Sequence, residues 1–218
     1  MVNGSDGVVG LTEIKLNRFT EKTCSKLQRN EKVTLVAFGD SITFGFAVSK
    51  GFTHFWMEIL KEKYPLAKIR MINEGICGDT SLNGVSRLEW SVISNEPDLV
   101  TINFGINDMY MGLGLSQFKG NLIEMVDRIL DEVESEVLLL SSEPLLTPSF
   151  DERILDYYTV LEQVAEEMDV GFVDVYGSWM RAVEKGEGVT LESLILPGLD
   201  HPNEAGYRIM AKELMRFF

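Results

Sequence analysis

Residues 33–45 read Val33-Thr-Leu-Val-Ala-Phe-Gly39-Asp40-Ser41-Ile-Thr-Phe-Gly45. An unbroken apolar or β-branched run, residues 33–38, ends at a glycine and hands over to an aspartate and a serine. A run without polar alternation suits a strand buried on both faces of a parallel sheet. Gly39 lets the chain turn without steric cost. Asp40 and Ser41 then fall at the carboxyl end of the strand, where open α/β sheets collect ligands and reacting groups. Taken alone, Gly-Asp-Ser favours a plainer reading, a turn serine or a helix N-cap. The flanking sequence has to decide.

Outward from this strand the pattern alternates. Residues 51–63 place Phe52, Phe55, Trp56, Ile59 and Leu60 at helical spacing, and Pro65 closes the segment. Strands are expected over residues 68–73, 98–104, 136–141 and 170–173. Helices are expected over 81–94, 115–132, 151–168 and 176–184, with a last one capped by Asn203 and running to residue 217. Glycine-bearing loops over 74–80 and 105–114, a proline-bearing loop over 142–150 and a long loop over 185–202 join them. Five strand–helix alternations predict a parallel sheet covered on both faces with right-handed crossovers. The expected fold is one three-layer α/β/α domain over residues 32–218 with a five-stranded parallel sheet, flavodoxin-like. Residues 1–31 are expected to form an N-terminal extension: a small polar lead, then an amphipathic helix over 11–30 that packs outside the sheet or covers a neighbour.

Composition bounds the function. With 218 residues, 45% of them hydrophobic, the chain can bury a sizeable core as one domain. Its net charge of −14, from 34 acidic and 20 basic residues, repels phosphate backbones and anionic membranes. No nucleic-acid partner and no stable membrane association are expected. Cys24 and Cys77 are too few for a disulfide framework or a zinc cluster, and read as free thiols of a reducing compartment. With no basic leader and no apolar window of membrane length, a cytoplasmic location is expected. A homo-oligomer is compatible with the extension but not specified by it.

Three further stretches carry chemistry. Asn73-Glu-Gly75-Ile-Cys-Gly78-Asp-Thr80 has two glycines whose backbone can approach a ligand and aim an N–H at a developing oxyanion; a tight strand-to-helix turn is the alternative. Gly105-Ile-Asn107-Asp108 puts a neutral double donor, the Asn107 amide, just beyond a buried strand; an Asx-turn or a helix cap is the alternative. Asp200-His201-Pro202-Asn203 presents an imidazole from an extended backbone directly before a helix. A group that titrates near neutrality is what a serine needs as general base. The other histidine, His54, reads as packing or surface.

Together the four stretches resemble the SGNH hydrolases, also called GDSL lipases or esterases, over most of the chain from residue 33 to the last helix. The resemblance implies that Ser41 is the nucleophile, that Gly78 and Asn107 join the Ser41 N–H in an oxyanion hole, and that His201 is the base, with no metal or organic cofactor. The family usually carries an aspartate three residues before the histidine. Here that position is Gly198, and the aspartate is Asp200, adjacent to His201. Asp200 itself in an irregular loop, or a backbone carbonyl near Gly198 that leaves a Ser-His dyad, are the two favoured ways to orient the ring. An acid from elsewhere, such as Glu143, ranks below them. Asp40 reads as a support of the turn. The implied activity is that of a serine esterase on small-molecule esters with short acyl groups, acetyl above all, on a carbohydrate or small alcohol. Phe44, Phe46 and residues 109–111 are candidates to line the acyl or sugar site. The alternatives are a lysophospholipase- or thioesterase-like acylhydrolase on longer chains, an acyltransferase between alcohols, and a binding module that holds an acylated glycan without cleaving it.

Overall fold

The computed structural model describes residues 16–218. Its sheet has five parallel strands: β1 Lys32–Gly39, β2 Lys68–Gly75, β3 Leu99–Asn103, β4 Glu136–Leu140 and β5 Gly171–Val173. They lie in the order β2-β1-β3-β4-β5. Each expected strand is present, with its ends moved by at most two residues. β1 is buried throughout except at Lys32, and every residue of β3 is buried. β2, at the sheet edge, has only exposed and half-buried positions up to a buried Gly75.

This order places the site. The chain leaves β1 toward β2, then crosses back to lay β3 on the other side of β1. In sheets of this order the ligand crevice lies where the connections diverge, outside the carboxyl ends of those two strands. Gly39 and Asn103 are paired there, so the segments that carry Ser41 and Asn107 flank the crevice. Helices pack in two sets. Ser81–Ser91, Leu115–Val133 and Pro148–Glu167 form one; Phe52–Lys63, Val175–Glu184 and Glu204–Leu214 form the other. Among the described residues no helix is long and apolar enough to cross a membrane.

Some segments differ from expectation. The loop over 105–114 contains a short helix, Ile106–Met111, and the last long loop contains a single turn, Leu191–Leu194, closed by a Thr190–Ser193 capping box. Neither is long enough to show an apolar period. The helix expected from residue 151 begins at Pro148, whose missing N–H costs nothing in a first turn. Of the helix expected over 11–30, residues 11–15 lie outside the described ones. The remainder is a 3-10 turn, Arg18–Thr20, and a helix, Glu21–Gln28. The N–H groups of Lys22 and Thr23 donate to the Glu136 carboxylate at 2.8 and 2.9 Å, an anion at a helix N-terminus. Glu136 opens β4, so this helix sits at the amino ends of the strands, opposite Ser41.

Candidate active site

Ser41 begins a one-turn helix, Ser41–Phe44. Asp40 caps it by accepting the Ile42 N–H at 2.9 Å, and Gly45 ends it in the left-handed region. As first residue, Ser41 has an N–H with no intrahelical acceptor. Packing fixes this turn. A Cβ on Gly39 would come within 2.3 Å of Thr43 Oγ1 and 2.5 Å of the Asn103 carbonyl; one on Gly75 would meet the Phe44 nitrogen at 2.1 Å. The close approach that Gly75 allows is therefore to the Ser41 turn. Asn73 adds a hydrogen bond from its amide to the Thr43 carbonyl at 2.8 Å.

His201 Nε2 lies 2.9 Å from Ser41 Oγ, within hydrogen-bond reach. The loop that carries it is pinched by an isolated bridge between Ile195 and Pro202 and by the Leu196 N–H donating to the His201 carbonyl. Asn203 then caps the last helix through the N–H groups of Ala205 and Gly206. The Phe46 ring lies 4.9 Å from the imidazole, centre to centre. Burial lowers the pKa of His201 below its ordinary value and the Asp200 charge raises it, with burial the larger influence. The net direction favours the neutral ring, the form in which Nε2 can accept a proton. Asp200 does not hydrogen-bond the ring. Its carboxylate accepts the Tyr110 hydroxyl at 3.3 Å. His201 Nδ1 is buried and has no hydrogen-bond partner among the described residues.

Across the crevice, Gly78 has φ +85 and open space where a Cβ would stand. Asn107 Nδ2 donates to the Asp79 carbonyl at 2.9 Å and lies 3.4 Å from Asp40 Oδ2. The first bond orients the amide. The second is at the long limit, so that N–H is the one left for an incoming oxygen. Burial, followed by the nearby charges of Asp108 and Asp79, pushes the Asp40 carboxyl up to about 7, against the bond from Ile42.

Two residues that sequence reasoning did not single out tie this side together. Arg87, 4% exposed, donates to Asp79 at 2.7 Å and to the Gly39 carbonyl at 2.8 Å, with its guanidinium 4.3 Å over the Phe38 ring. Its position was readable: Gly84, Arg87, Leu88 and Ser91 share one buried helix face. Ser81 is the other. Its N–H donates to the buried Asp108 carboxylate, and its hydroxyl accepts from Asn121 Nδ2 at 2.8 Å. Asp108 thus caps the helix that follows the Gly78 loop rather than its own segment. His54 is on the surface, 2.9 Å from Glu58.

The Ser-His pair, the neutral donor and the glycine loop occupy one crevice at the sheet's switch point. The family model that matches residues 37–209 is that of the GDSL-like lipase/acylhydrolase family. This chain belongs to that family. As a family member it is a carboxylic ester hydrolase. It is 31% identical to an acetylxylan esterase of Geobacillus stearothermophilus, across 88% of this chain and 95% of that one. It is 30% identical to an arylesterase of Vibrio mimicus over 66% of this chain and 70% of that one. Thioesterase 1/protease 1/lysophospholipase L1 of Escherichia coli is 27% identical over 63% and 64%. A crystal structure of the Geobacillus esterase superposes with a TM-score of 0.74 at 26% identity, covering 85% and 93%. Its catalytic mutants replace a serine, a histidine and an aspartate three residues before that histidine.

Proposed function

We propose that this family member is a serine esterase that removes short acyl groups, acetyl foremost, from a carbohydrate or other small alcohol. The observation that carries the mechanism is the 2.9 Å contact between Ser41 Oγ and His201 Nε2. Ser41 Oγ attacks the ester carbonyl carbon while its proton passes to His201 Nε2. The carbonyl oxygen, now an anion, is held by the N–H groups of Ser41 and Gly78 and by the Asn107 amide. The imidazolium returns its proton to the leaving alcohol. A water molecule, deprotonated by the same nitrogen, then releases the acid. Asp40 supports the turn and stays out of the reaction.

The short-acyl reading is supported by the near full-length likeness to an acetylxylan esterase. It is also supported by the rim: Phe44, Phe46 and Leu199, 55%, 37% and 40% exposed, stand open to solvent rather than roofing a tunnel. The likeness to thioesterase 1/protease 1/lysophospholipase L1 of Escherichia coli supports a second reading, an acylhydrolase for longer chains. A series of p-nitrophenyl esters from acetate to palmitate separates them, with an acetylated oligosaccharide as natural-type substrate and Ser41→Ala as control. The proposal expects turnover to peak at acetate and to vanish in Ser41→Ala. A peak at long chains would select the second reading. Turnover of none of these substrates, or full activity in Ser41→Ala, would contradict both.

A further inference from the structure

The Geobacillus esterase has a catalytic aspartate three residues before its histidine. At that spacing this chain has Gly198. Asp200 accepts the Tyr110 hydroxyl at 3.3 Å, and His201 Nδ1 has no hydrogen-bond partner among the described residues. What the imidazole does touch is Phe46. The two rings lie 4.9 Å apart, centre to centre, and are tilted by 50°. That separation is within the range of packed aromatic pairs. Phe46 is aimed by the turn that carries Ser41. Its N–H donates to the Ser41 carbonyl at 3.1 Å. Gly45 before it and Ala47 after it are both left-handed, with φ +83 and +58. The Val48 N–H reaches back to the Gly45 carbonyl at 3.4 Å, so Phe46 and Ala47 are the central pair of a tight turn. A positive φ at the second central position normally falls to glycine; here an alanine takes it. Strain of this kind persists where the surroundings over-determine it, and it clusters at functional sites. Here it sets Phe46 at the tip of the turn, 37% exposed, with its ring against His201.

We propose that Phe46 is a positioning residue for His201: its ring, fixed from the Ser41 side, sets the plane of the imidazole so that Nε2 meets Ser41 Oγ. The χ2 torsion of a histidine is broad by itself, so an imidazole without a bond at Nδ1 takes its plane from what packs on it. An acid at residue 198 would fix the ring by one bond; a packed phenyl fixes it by contact. Nucleophile and base are then aligned by one short segment. Ser41 starts it, Phe46 ends it, and the bond from the Phe46 N–H to the Ser41 carbonyl joins the two. The same contact keeps water from the imidazole, in line with the burial that lowers the His201 pKa.

The inference rests on the esterase reading and is tested with Phe46→Ala and Phe46→Tyr in the full chain, each alone, and with Phe46→Ala added to His201→Ala. Phe46→Ala should lower kcat by about 10–10², the scale of a small misplacement at a reacting group, with KM changed by less than about threefold. The acid limb of kcat/KM should move to higher pH. An uncovered imidazole charges more readily, while Ser41 and Asp200, the groups that face it, remain. Phe46→Tyr keeps the ring and should recover most of the loss. In the His201→Ala background, Phe46→Ala should slow phosphonate labelling of Ser41 by less than about twofold, because the ring it positions is gone. The proposal is overturned if Phe46→Ala retains wild-type kcat, if only KM changes, or if the acid limb stays in place or moves to lower pH. It is overturned equally if Phe46→Tyr is as slow as Phe46→Ala, or if Phe46→Ala slows labelling as much without His201 as with it. Should Phe46→Ala not fold, Phe46→Leu decides: an aliphatic chain offers no flat face, so a loss of about three- to tenfold in kcat supports the proposal and full kcat overturns it. A labelled wild-type Ser41 with an unimpaired Phe46→Ala refutes this inference alone, whereas an unlabelled wild type refutes the esterase.

Discussion

Ser41 sits in a turn held from several sides, whereas His201 sits in a loop held at its two ends. On the nucleophile side, Gly39 and Gly75 bring β3 and β2 against the turn so closely that a single Cβ would not fit. Arg87 ties the end of β1 to Asp79 in the Gly78 loop, and Asp108 ties the start of the Ser81–Ser91 helix to the segment that carries Asn107. On the base side, the bridge from Ile195 to Pro202 closes a loop whose tip holds Gly198 with φ +77 and the exposed Leu199. On the proposed mechanism, Ser41 and the oxyanion donors must meet a transition state whose geometry is the same for every ester, and small displacements there are costly. The base needs only reach and the right tautomer. That difference explains how one side tolerates a glycine where a relative has a catalytic aspartate.

The largest expected effect breaks the rigid side. Arg87→Met removes the partner of a largely buried carboxylate and should cost about 3–5 kcal/mol of stability, read as a fall in the urea midpoint at constant slope. Asp200→Asn, on the looser side, should change stability by less than about 0.5 kcal/mol. Equal losses would erase the contrast.

Next comes Asn107→Ala, which removes one proposed oxyanion donor. It should lower kcat by about 10²–10³ without unfolding the chain, and unchanged turnover would remove Asn107 from the oxyanion hole.

A smaller effect sharpens the electrostatics. The Asp40 carboxyl is pushed up to about 7 by burial, so between roughly pH 4 and pH 7 the folded chain holds a proton that the unfolded chain has released. Stability on this account falls as pH rises through that window. Asp40→Asn should flatten the difference, seen as converging unfolding midpoints for wild type and variant toward neutral pH. A wild type that gained stability over the variant from pH 4 to pH 7 would contradict the assignment.

The strands were legible because burial on both faces writes itself as continuous apolar runs; residues 33–38 needed no partner to be read. The gathering of Ser41, Asn107 and His201 at one end of the sheet was legible because each follows a strand or precedes a helix there; their roles are the proposal. What the sequence hid are contacts made through space. Asp108 caps a helix that begins 27 residues earlier, and no local spacing encodes that bond. Arg87 stood on a helix face whose other members, Gly84, Leu88 and Ser91, are buried, so its burial was available from periodicity, but its bond to the Gly39 carbonyl was not.

The most direct test of the account is the mass of the intact chain and its peptides after reaction with a serine-directed alkyl phosphonate. One adduct is expected, on Ser41, formed rapidly in wild type, slowed strongly in His201→Ala and absent in Ser41→Ala. An adduct on another residue, or none on an intact folded chain, would contradict it.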